Sequence, residues 1–570
     1  MGLIQDRIVK IYFVIIAFAA SIPYAHAQDE APGLKSVIAL IAASDLMVIE
    51  AERSGMDLTR TPLLDDDLVR TKFNQLLGKP IGPPLLQDIK TIIVDRYKAV
   101  GHPFLDVGFP QQDVTNGTLQ VVVTEFRVGQ VMVEGNKWFT DRLIRRRSGL
   151  APGDTIDNPA LSKRLEQFNS GSFIQVTPEF KPGDATGTTD VTLRAQDHLP
   201  IKLSANYDNS GGPTTGWDRW TLGVTWGDAF WQGHTLGYQL GTSSNFWTSR
   251  PKRLGQEVDP NFATHNLSWD VPLPWGDTIS LSGAYTTQSP NLGPDLGSVG
   301  LTETGRLSYK RPMGELKFGD HLIASTQELG LAYDYKRTNN DLSFGGTTIN
   351  HGFSEVSQFS LQYTLTIPDD WGQSTLTNTL VHSPGGMTYR NTDAAFQPND
   401  AGQSGTVGAK ARYSYARVML TRLVPLPSEF GLQLRVSGQI ADQTLLPSEQ
   451  LSIAGVDTVR GYQEGSITGS SGFVTSIELD GPKFSPSGLI GVENGDAAQL
   501  HVFWDYGQGS NRTPSSGSPA NLHTSSIGFC GRYLVGENAT IRMEQGWQLY
   551  RTRRQAAGGA FGHFSVSLTW

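Results

Sequence analysis

The strongest constraint on the fold is a period-two alternation of apolar and polar residues that begins near Ile201 and continues to Trp570. Its segments are about ten residues long and are separated by Gly, Asn, Asp or Pro, as in transmembrane β-barrels. Clear examples are residues 278–285, 329–335, 359–365, 375–380, 432–436 and 500–504. About sixteen such segments follow one another, and bacterial barrels have even strand numbers. Residues 198–570 are therefore predicted to form a transmembrane antiparallel β-barrel of about 16 strands.

The composition agrees with a barrel and excludes a bundle of membrane-spanning helices. Only 38% of the residues are hydrophobic and the mean hydropathy is -0.27, because alternate residues of a barrel strand face lipid and water. A soluble β-sandwich or β-helix is the alternative for a helix-free stretch of this length. Aromatic girdles favour the membrane barrel. The tryptophans near predicted strand ends are Trp217, Trp220, Trp226, Trp231, Trp269, Trp275 and Trp371.

The last segment shows the alternation most clearly. Phe564, Val566, Leu568 and Trp570 alternate with small polar residues and form a predicted lipid-facing row. An ending on an aromatic residue resembles that of outer-membrane barrels generally, whose assembly machinery reads such a terminus. The resemblance implies that this row is a C-terminal assembly signal.

The N-terminal residues predict export. Arg7 and Lys10 precede an apolar run over residues 11–22, and Ala25-His26-Ala27 has the small-x-small pattern of a signal-peptidase site. Residues 1–27 are therefore expected to be a signal peptide. A membrane anchor is the alternative, but the run is shorter than the about 20 residues that a spanning helix needs.

A short N-terminal segment, residues 28–44, follows the predicted cleavage site. Its apolar residues have near-helical spacing, which is compatible with a small helix. They are Leu34, Val37, Ile38, Leu40 and Ile41.

Residues 45–197 have a different pattern, in which one order of elements occurs twice. Each copy predicts a strand, two helices separated by a Gly-containing turn, and two further strands. In the first module, residues 45–126, these elements are expected at 46–49, 65–77, 84–100, 104–109 and 118–124. In the second module, residues 127–197, they are expected at 130–134, 140–148, 159–170, 174–180 and 189–195.

Enzyme and metal motifs are absent from the sequence. It contains no Walker loop, His-Glu-x-x-His, Gly-x-Ser-x-Gly or cysteine cluster, and its 11 histidines are scattered. No catalytic residue, cofactor or metal is expected, although a Ser/His/acid site assembled from distant strands is an alternative. Cys530 is the single cysteine, so no intramolecular disulfide forms. The net charge of -9 gives no reason to expect nucleic-acid binding.

A long glycine-containing segment interrupts the alternation at about residues 444–471. It is too long for a hairpin turn, and connections of this length usually have a role of their own. Its one cation, Arg460, lies between Val459 and Gly461. Because the segment, folded double, is long enough to enter a barrel from one mouth, we call it the lumenal loop.

Two stretches resemble the two-partner secretion transporters (the haemolysin and filamentous-haemagglutinin secretion and activation family), a branch of the outer-membrane assembly and transport superfamily. Pro447-Ser448-Glu449-Gln450 and Val459-Arg460-Gly461-Tyr462 resemble the family's lumenal loop, although Ala454-Gly455 stands where the family has Gly-Gly. Residues 97–126 resemble the end of its first polypeptide-transport-associated (POTRA) domain. The matching residues there are Tyr97, Gly101, Pro110 to Val114, Gly117, Leu119 and Val121 to Glu125. The resemblance implies that both modules are periplasmic POTRA domains.

The resemblance also assigns a partner to Arg460. In the superfamily the loop arginine meets the acidic residue of a Phe-x-Asp motif on the inner wall, and Phe503-Trp504-Asp505 fills this pattern. A guanidinium in a water-poor lumen needs a carboxylate with bidentate geometry. Ordinary solvated charges, or a buried pair without function, are the alternatives. The expected latch residues are Val459, Arg460, Gly461 and Tyr462, and the expected wall residues are Phe503 and Asp505.

The function implied by the resemblance is export of a large partner exoprotein, of the haemolysin or adhesin type, across the outer membrane. The POTRA domains would capture the unfolded chain in the periplasm by strand addition, and the barrel would conduct it to the cell surface. Expected partners are the exoprotein, outer-membrane lipid and, during biogenesis, the barrel assembly machinery, with the transporter itself a monomer.

Two other functions remain as alternatives. An outer-membrane protein assembly factor usually has more periplasmic repeats than two, and a passive porin leaves the modules unexplained. Some family members carry a long N-terminal helix that plugs the pore. Residues 28–44 are too few for such a helix and its linker.

Overall fold

The computed structural model describes residues 32–49, 52–248, 260–292, 296–318, 321–344, 347–398, 405–491, 495–513, 521–550 and 558–570. The predicted signal peptide, residues 1–27, lies outside these ranges. None of the described helices is long and apolar enough to cross a membrane. The chain divides into two compact units. The first contains Met1–Val131, Leu150–Leu161 and Phe180–Val191, and the second contains Met132–Gly149, Ser162–Glu179 and Thr192–Trp570.

The first module is a four-stranded sheet with two helices and the strand order β2-β1-β4-β3. Its elements are β1 (Ser36–Leu40), β2 (Gly55–Asp57), α1 (Asp67–Asn74), α2 (Pro83–Ala99), β3 (Leu105–Gly108) and β4 (Thr118–Glu125). The carboxylate of Asp66 accepts hydrogen bonds from the backbone N–H groups of Leu68 and Val69, which caps the start of α1. Pro83 begins α2, where its missing N–H and fixed φ suit the first turn.

Residues 36–40 correct the expectation for the N-terminal segment. Instead of a helix within residues 28–44, Ser36–Leu40 form β1, and all five of its residues are buried. β1 pairs in parallel with both β2 and β4. A strand covered on both faces has a continuous apolar run, and its spacing cannot be told from that of a buried helix. The expected strand at 46–49 is wrong and the first module begins before residue 45, whereas the boundaries at residues 126 and 197 stay predictions.

The second module repeats the combination of two helices and a small sheet. Its elements are β5 (Arg127–Glu134), α3 (Asp141–Ser148), α4 (Asn158–Asn169), β6 (Ile174–Pro182) and β7 (Thr188–Asp197), with the strand order β5-β7-β6. The hydroxyl of Thr140 accepts a hydrogen bond from the N–H of Leu143 at the start of α3. Gly149, with a φ of 66°, ends that helix in the left-handed conformation that favours glycine.

In the described chain, sixteen strands close into an antiparallel barrel, which confirms the predicted fold class. In chain order the strands after the second module are β8 (Ile201–Asp208), β9 (Arg219–Ala229), β10 (His234–Thr242), β11 (Phe262–Pro272), β12 (Thr278–Gln288), β13 (Leu296–Met313), β14 (Leu316–Phe318), β15 (His321–Ile323), β16 (Thr326–Phe344), β17 (Thr347–Asp369), β18 (Gly372–Pro384), β19 (Arg412–Pro425), β20 (Gly431–Ala441), β21 (Leu451–Ser452), β22 (Thr468–Gly469), β23 (Ser471–Asp480), β24 (Asp496–Ser510), β25 (Asn521–Val535), β26 (Ala539–Gln548) and β27 (Ala560–Thr569). Two pairs, β14 with β15 and β21 with β22, are separate hairpins and not part of the barrel wall. Short helices α5 (Asn245–Thr248), α6 (Asp393–Phe396) and α7 (Pro486–Leu489) lie in the connections.

The barrel wall has an apolar outer face. Leu281, Leu307, Leu331 and Phe529 lie on four different strands, and each is about half exposed, between 49% and 54%. Such a surface suits lipid and not water. The register of the strands therefore turns the apolar half of the alternation outward.

The C-terminal strand closes the barrel. β27 pairs with β8 from Ser565 opposite Asp208 to Thr569 opposite Ser204. His563 of the same strand is buried, so the row of Phe564, Val566 and Leu568 takes the opposite, outer face. Its recognition by an assembly machinery stays a prediction.

Candidate functional site in the barrel lumen

The lumenal loop connects β20 to β23 and spans residues 442–470, close to the predicted 444–471. It contains its own hairpin, in which Leu451 pairs with Gly469 and Ser452 with Thr468. Its apolar side chains form one buried cluster with a residue of β23. The members are Leu451, Ile453, Ala454, Val459, Tyr462, Ile467 and Val474. The loop is therefore a packed element with a defined conformation and not a solvated connection.

Arg460 lies at the centre of the site and is bound to Asp505 of β24 by several hydrogen bonds. Its Nε donates to Asp505 Oδ2 at 2.8 Å and its Nη2 to Asp505 Oδ1 at 2.9 Å, which is the bidentate arrangement. Its backbone N–H also donates to Asp505 Oδ2, at 3.0 Å. Arg460 is 5% exposed and Asp505 0% exposed. The structure thus brings together the loop and wall residues that the family resemblance paired.

Four further wall side chains surround the guanidinium, among them Ser476, whose Oγ accepts a hydrogen bond from Nη2 at 3.0 Å. Nη1 of Arg460 donates to Glu478 Oε2 at 2.5 Å and lies 3.9 Å from Glu544 Oε1. The aromatic ring of Phe503 is stacked on the guanidinium, with Cζ 3.5 Å from the ring centroid, a cation–π contact. Burial opposes the charge of Arg460, but the carboxylates of Asp505 and Glu478 compensate it through hydrogen bonds to the guanidinium. Arg460 is accordingly a fixed cation held by carboxylates of β23, β24 and β26.

Gly461 and Tyr462 fix the tip of the loop to the next strands of the wall. The carbonyl of Gly461 accepts a hydrogen bond from Gln548 Nε2 at 2.6 Å. Gly461 has a φ of 85° and lies directly against Gly546 of β26, where a Cβ on Gly546 would be 2.7 Å from Gly461 Cα. The hydroxyl of Tyr462 is 3.0 Å from the carbonyl oxygens of both Ser525 and Tyr550. Each residue of the predicted Val-Arg-Gly-Tyr latch therefore contacts the wall or the buried cluster.

Several of these contacts were not foreseen from the sequence. Glu478 and Glu544 lie on strands whose pairing register cannot be read from the residues alone. One usable signal existed for Glu478, because alternation places Ser476, Glu478 and Asp480 on one face of a strand. No signal pointed to Gly546, which matters only because a loop backbone lies against it.

One group of possible metal ligands lies next to the site. Among the residues the structure describes, Glu478, Asp480 and His501 bring their ligand atoms within 4.8 Å of one another. His501 Nδ1 is 2.7 Å from Asp480 Oδ1, and Glu478 is already bound by Arg460. A hydrogen-bonded histidine and a neighbouring guanidinium oppose a bound cation, so this cluster is an extension of the Arg460 network.

The fold and the site define a class of protein: a transmembrane β-barrel, preceded by two α+β modules, whose lumen holds an ion-paired loop. The comparisons with known proteins agree with this class. The family model described as "Haemolysin secretion/activation protein ShlB/FhaC/HecB" matches residues 187–531. The chain belongs to this family.

Among curated proteins, the outer membrane transporter CdiB of Dickeya dadantii is 23% identical over 402 residues, which is 70% of this chain and 65% of the relative. The heme/hemopexin transporter protein HuxB of Haemophilus influenzae is 21% identical over 459 residues, 80% of this chain and 74% of the relative. The match to the first of these thus spans less than two thirds of the relative's length.

Among solved structures, CdiB from Escherichia coli has a TM-score of 0.67 at 18% identity, covering 97% of this chain and 93% of that chain. CdiB from Acinetobacter baumannii has a TM-score of 0.61 at 17% identity, covering 95% and 91%. At these identities the two structures show that the fold is shared. The likeness includes the N-terminal α+β region, because it extends over nearly the whole chain.

Proposed function

We propose that this protein is an outer-membrane transporter that exports a large partner exoprotein, of the haemolysin or adhesin type, from the periplasm to the cell surface. The observation that carries the proposal is a loop held by buried charges inside a closed barrel, in a member of a secretion/activation family. The relatives CdiB and HuxB are both described as transporters, which supports transport as the function and not catalysis.

The lumenal loop is the gate in this proposal. Its buried cluster and the contacts of Arg460 hold it against β23, β24 and β26. An extended chain can cross the lumen only after the loop has moved, because the two cannot occupy the same space. A bidentate ion pair suits a gate, since it defines one position of the loop while its net contribution to stability is small.

The two modules receive the unfolded exoprotein. In the first sheet the edge strands β2 and β3 have only 3 and 4 residues, whereas in the second sheet the edge strands β5 and β6 have 8 and 9. A long edge offers a row of backbone N–H and C=O groups to an extended peptide. An unfolded exoprotein would therefore add as an extra strand to an edge of the second sheet, such as β6. The backbone hydrogen bonds formed there require no particular sequence.

A large cavity continues this path at one end of the barrel. It has a volume of about 1270 Å³ and is lined by α3, α4 and the ends of β8 to β13. Arg146 and Arg147 of α3 hydrogen-bond to the carbonyl of Gln232, and Gln167 of α4 donates to the carbonyl of Gly276 at 2.8 Å. These contacts hold the helices at the turns on that side of the barrel and leave room for a passing segment between them.

The proposed location is the outer membrane, with both modules in the periplasm. The outward-facing leucines would contact lipid, and the row of Phe564, Val566, Leu568 and Trp570 would be read by the barrel assembly machinery during biogenesis. The barrel closes on itself through β8 and β27, so one chain suffices to form a channel and the proposed state is a monomer.

The test is a comparison of surface and secreted proteins between a strain lacking this gene and strains complemented with variants. Wild type is expected to restore one large secreted protein, whereas Arg460→Ala and Asp505→Ala are expected to reduce its export at equal membrane levels of the transporter. Deletion of residues 32–197 is expected to abolish export while the barrel still conducts ions.

Three results would contradict the proposal. Unchanged secretion without the gene would exclude export, and a general loss of other outer-membrane proteins would favour an assembly factor. Normal export by the variant without residues 32–197 would remove the modules from the mechanism. Each outcome is read by mass spectrometry of the same membrane and supernatant fractions.

A further inference from the structure

The first part of the lumenal loop, between β20 and β21, is called its root, and the part around Arg460 its tip. The root carries a second buried charge, Glu449, whose side chain is 1% exposed. Its Oε1 accepts a hydrogen bond from Lys336 Nζ at 2.6 Å, and its Oε2 accepts from Gln358 Nε2 at 2.9 Å and from the hydroxyl of Tyr415 at 3.1 Å. The hydroxyl of Ser448 donates to Oε1 at 3.1 Å. In the described structure, Lys336 is the one cation bonded to this carboxylate.

These partners lie on a different arc of the wall from those of Arg460. Lys336 belongs to β16, Gln358 to β17 and Tyr415 to β19, whereas Arg460 is held by β23, β24 and β26. In the closed barrel β20, from which the loop emerges, separates the two arcs. The loop is therefore fixed on both sides of its own entry strand.

The surroundings of Glu449 make this contact a local unit. Leu445 and Leu446, just before it, pack in a buried cluster with Phe396 of the connection between β18 and β19. Gln439 Nε2 donates to the carbonyl oxygens of both Glu449 and Ser470 at 3.0 Å, which joins the two ends of the loop. None of these residues contributes to the cluster around Val459 and Tyr462.

Lys336 also faces the open part of the lumen. Its side chain is 26% exposed, and it lines a lumenal cavity of about 440 Å³ together with Arg306 and Asp334. Lys336 thus connects Glu449 of the loop root to the open part of the lumen.

We propose that Lys336 and Glu449 form a second hold on the lumenal loop, separable from that of Arg460 and Asp505, so that the loop leaves the lumen only when both are broken. Glu449 positions the loop root and Arg460 positions its tip. Release of the tip alone lets the end of the hairpin move while its root still narrows the pore. The consequence of the two holds for export rests on the proposed function, whereas the existence of the two holds does not depend on it.

The experiment measures root and tip separately in the purified full-length protein. Cys530 is the single cysteine, so a Cys530→Ser background accepts one new thiol at a time. Leu446→Cys reports the root and Val459→Cys the tip, because both residues are buried, at 8% and 0% exposure. The rate of maleimide labelling is compared for each reporter in Lys336→Met, Glu449→Gln and Arg460→Ala, and channel opening is recorded in planar bilayers.

Lys336→Met and Glu449→Gln are expected to accelerate root labelling about tenfold or more and to leave tip labelling within about twofold, because buried thiols react through local opening. Arg460→Ala is expected to do the reverse. Lys336→Arg, which keeps the charge, is expected to restore slow root labelling. Lys310→Met is the matched control, since Lys310 pairs with Glu328 at 3.9 Å on the neighbouring strands β13 and β16. Lys336→Met with Arg460→Ala is expected to open the channel far more often than either single change.

Root labelling at the wild-type rate in both Lys336→Met and Glu449→Gln would overturn the proposal. Acceleration of both reporters by Arg460→Ala alone, with channel opening equal to that of the combined variant, would also overturn it, because the loop would then move as one body. Neither measurement contains an exoprotein, so a failure of the export proposal leaves the result on the two holds readable. Each variant is compared only where heat-dependent gel mobility shows a folded barrel.

Discussion

Replacement of Asp505 by asparagine removes the wall charge opposite Arg460 with almost no change in volume. Asp505 accepts hydrogen bonds from three N–H groups of Arg460 and from the hydroxyl of Ser476. Asparagine keeps one acceptor oxygen and turns its own amide hydrogens toward groups that are themselves donors. Loss of one partner of a buried pair costs about 3–5 kcal/mol. Because Glu478 still accepts from the guanidinium at 2.5 Å, we expect the lower end of this range.

Hydrogen exchange of the loop amides, followed by mass spectrometry, measures this cost directly. Amides of residues 453–467 exchange through local opening, so their rate rises with the opening equilibrium. A change of about 3 kcal/mol corresponds to roughly 100-fold faster exchange. Glu478→Gln is expected to accelerate exchange less, about tenfold, since one charge-assisted hydrogen bond is worth about 1.5–3 kcal/mol and the bidentate contact remains.

Asp277→Asn is the matched control for the asparagine substitution. Asp277 is also a buried aspartate, 4% exposed, and it accepts from Arg311 Nη2 at 2.8 Å at the turn before β12. Its loss is expected to leave exchange of the lumenal loop unchanged. Wild-type exchange in Asp505→Asn would refute the reasoning, and a larger effect of Glu478→Gln would show that Glu478 and not Asp505 is the principal partner.

Three further predictions concern other levels of the structure. Gly546→Ala is expected to accelerate exchange at the loop tip, because its Cβ would meet Gly461 at 2.7 Å, whereas Gly531→Ala, whose nearest neighbour is a side-chain atom at 3.6 Å, is expected to have little effect. Asp66→Ala is expected to lower the free energy of unfolding of the first module by about 1 kcal/mol through loss of the α1 cap, measured by local exchange in α1. Removal of Trp570 is expected to reduce the folded barrel in the outer membrane, measured by heat-dependent gel mobility, and equal levels would exclude its role in assembly.

The barrel could be predicted from the sequence because its physical cause is local. A strand between lipid and lumen must alternate, so residues 278–285 and 432–436 already indicated what became β12 and β20. The number of strands could be predicted by counting the alternating segments, since every barrel strand has the same pattern. The helices of the modules were equally visible, because residues 84–100 and 140–148 have one apolar face each and became α2 and α3.

Features that depend on non-local pairing could not be predicted in this way. β1 is a strand only because β2 and β4 cover both of its edges, and without them its apolar residues fit a helix. Glu478 reaches Arg460 because β23 and β24 pair with Ser476 opposite Asp505. A shift by one residue would turn Glu478 away from the lumen. The family resemblance identifies Asp505 as the partner of Arg460. The contacts of Arg460 with Glu478 and Glu544 depend on the strand register, which the sequence alone does not give.

The use of buried charge at both the root and the tip of the lumenal loop has a physical rationale. Apolar contacts such as those of Ile453 and Val459 stabilise a docked loop, but they are non-directional and tolerate a shifted position. A bidentate ion pair does not tolerate a shifted position. Arg460 forms its hydrogen bonds with Asp505 only when Gly461 is in close contact with Gly546. Replacement of buried ion pairs by apolar residues often leaves stability unchanged or increases it. Buried charge therefore gives the loop one defined docked position while adding little net stability, which fits the gate proposed for this loop.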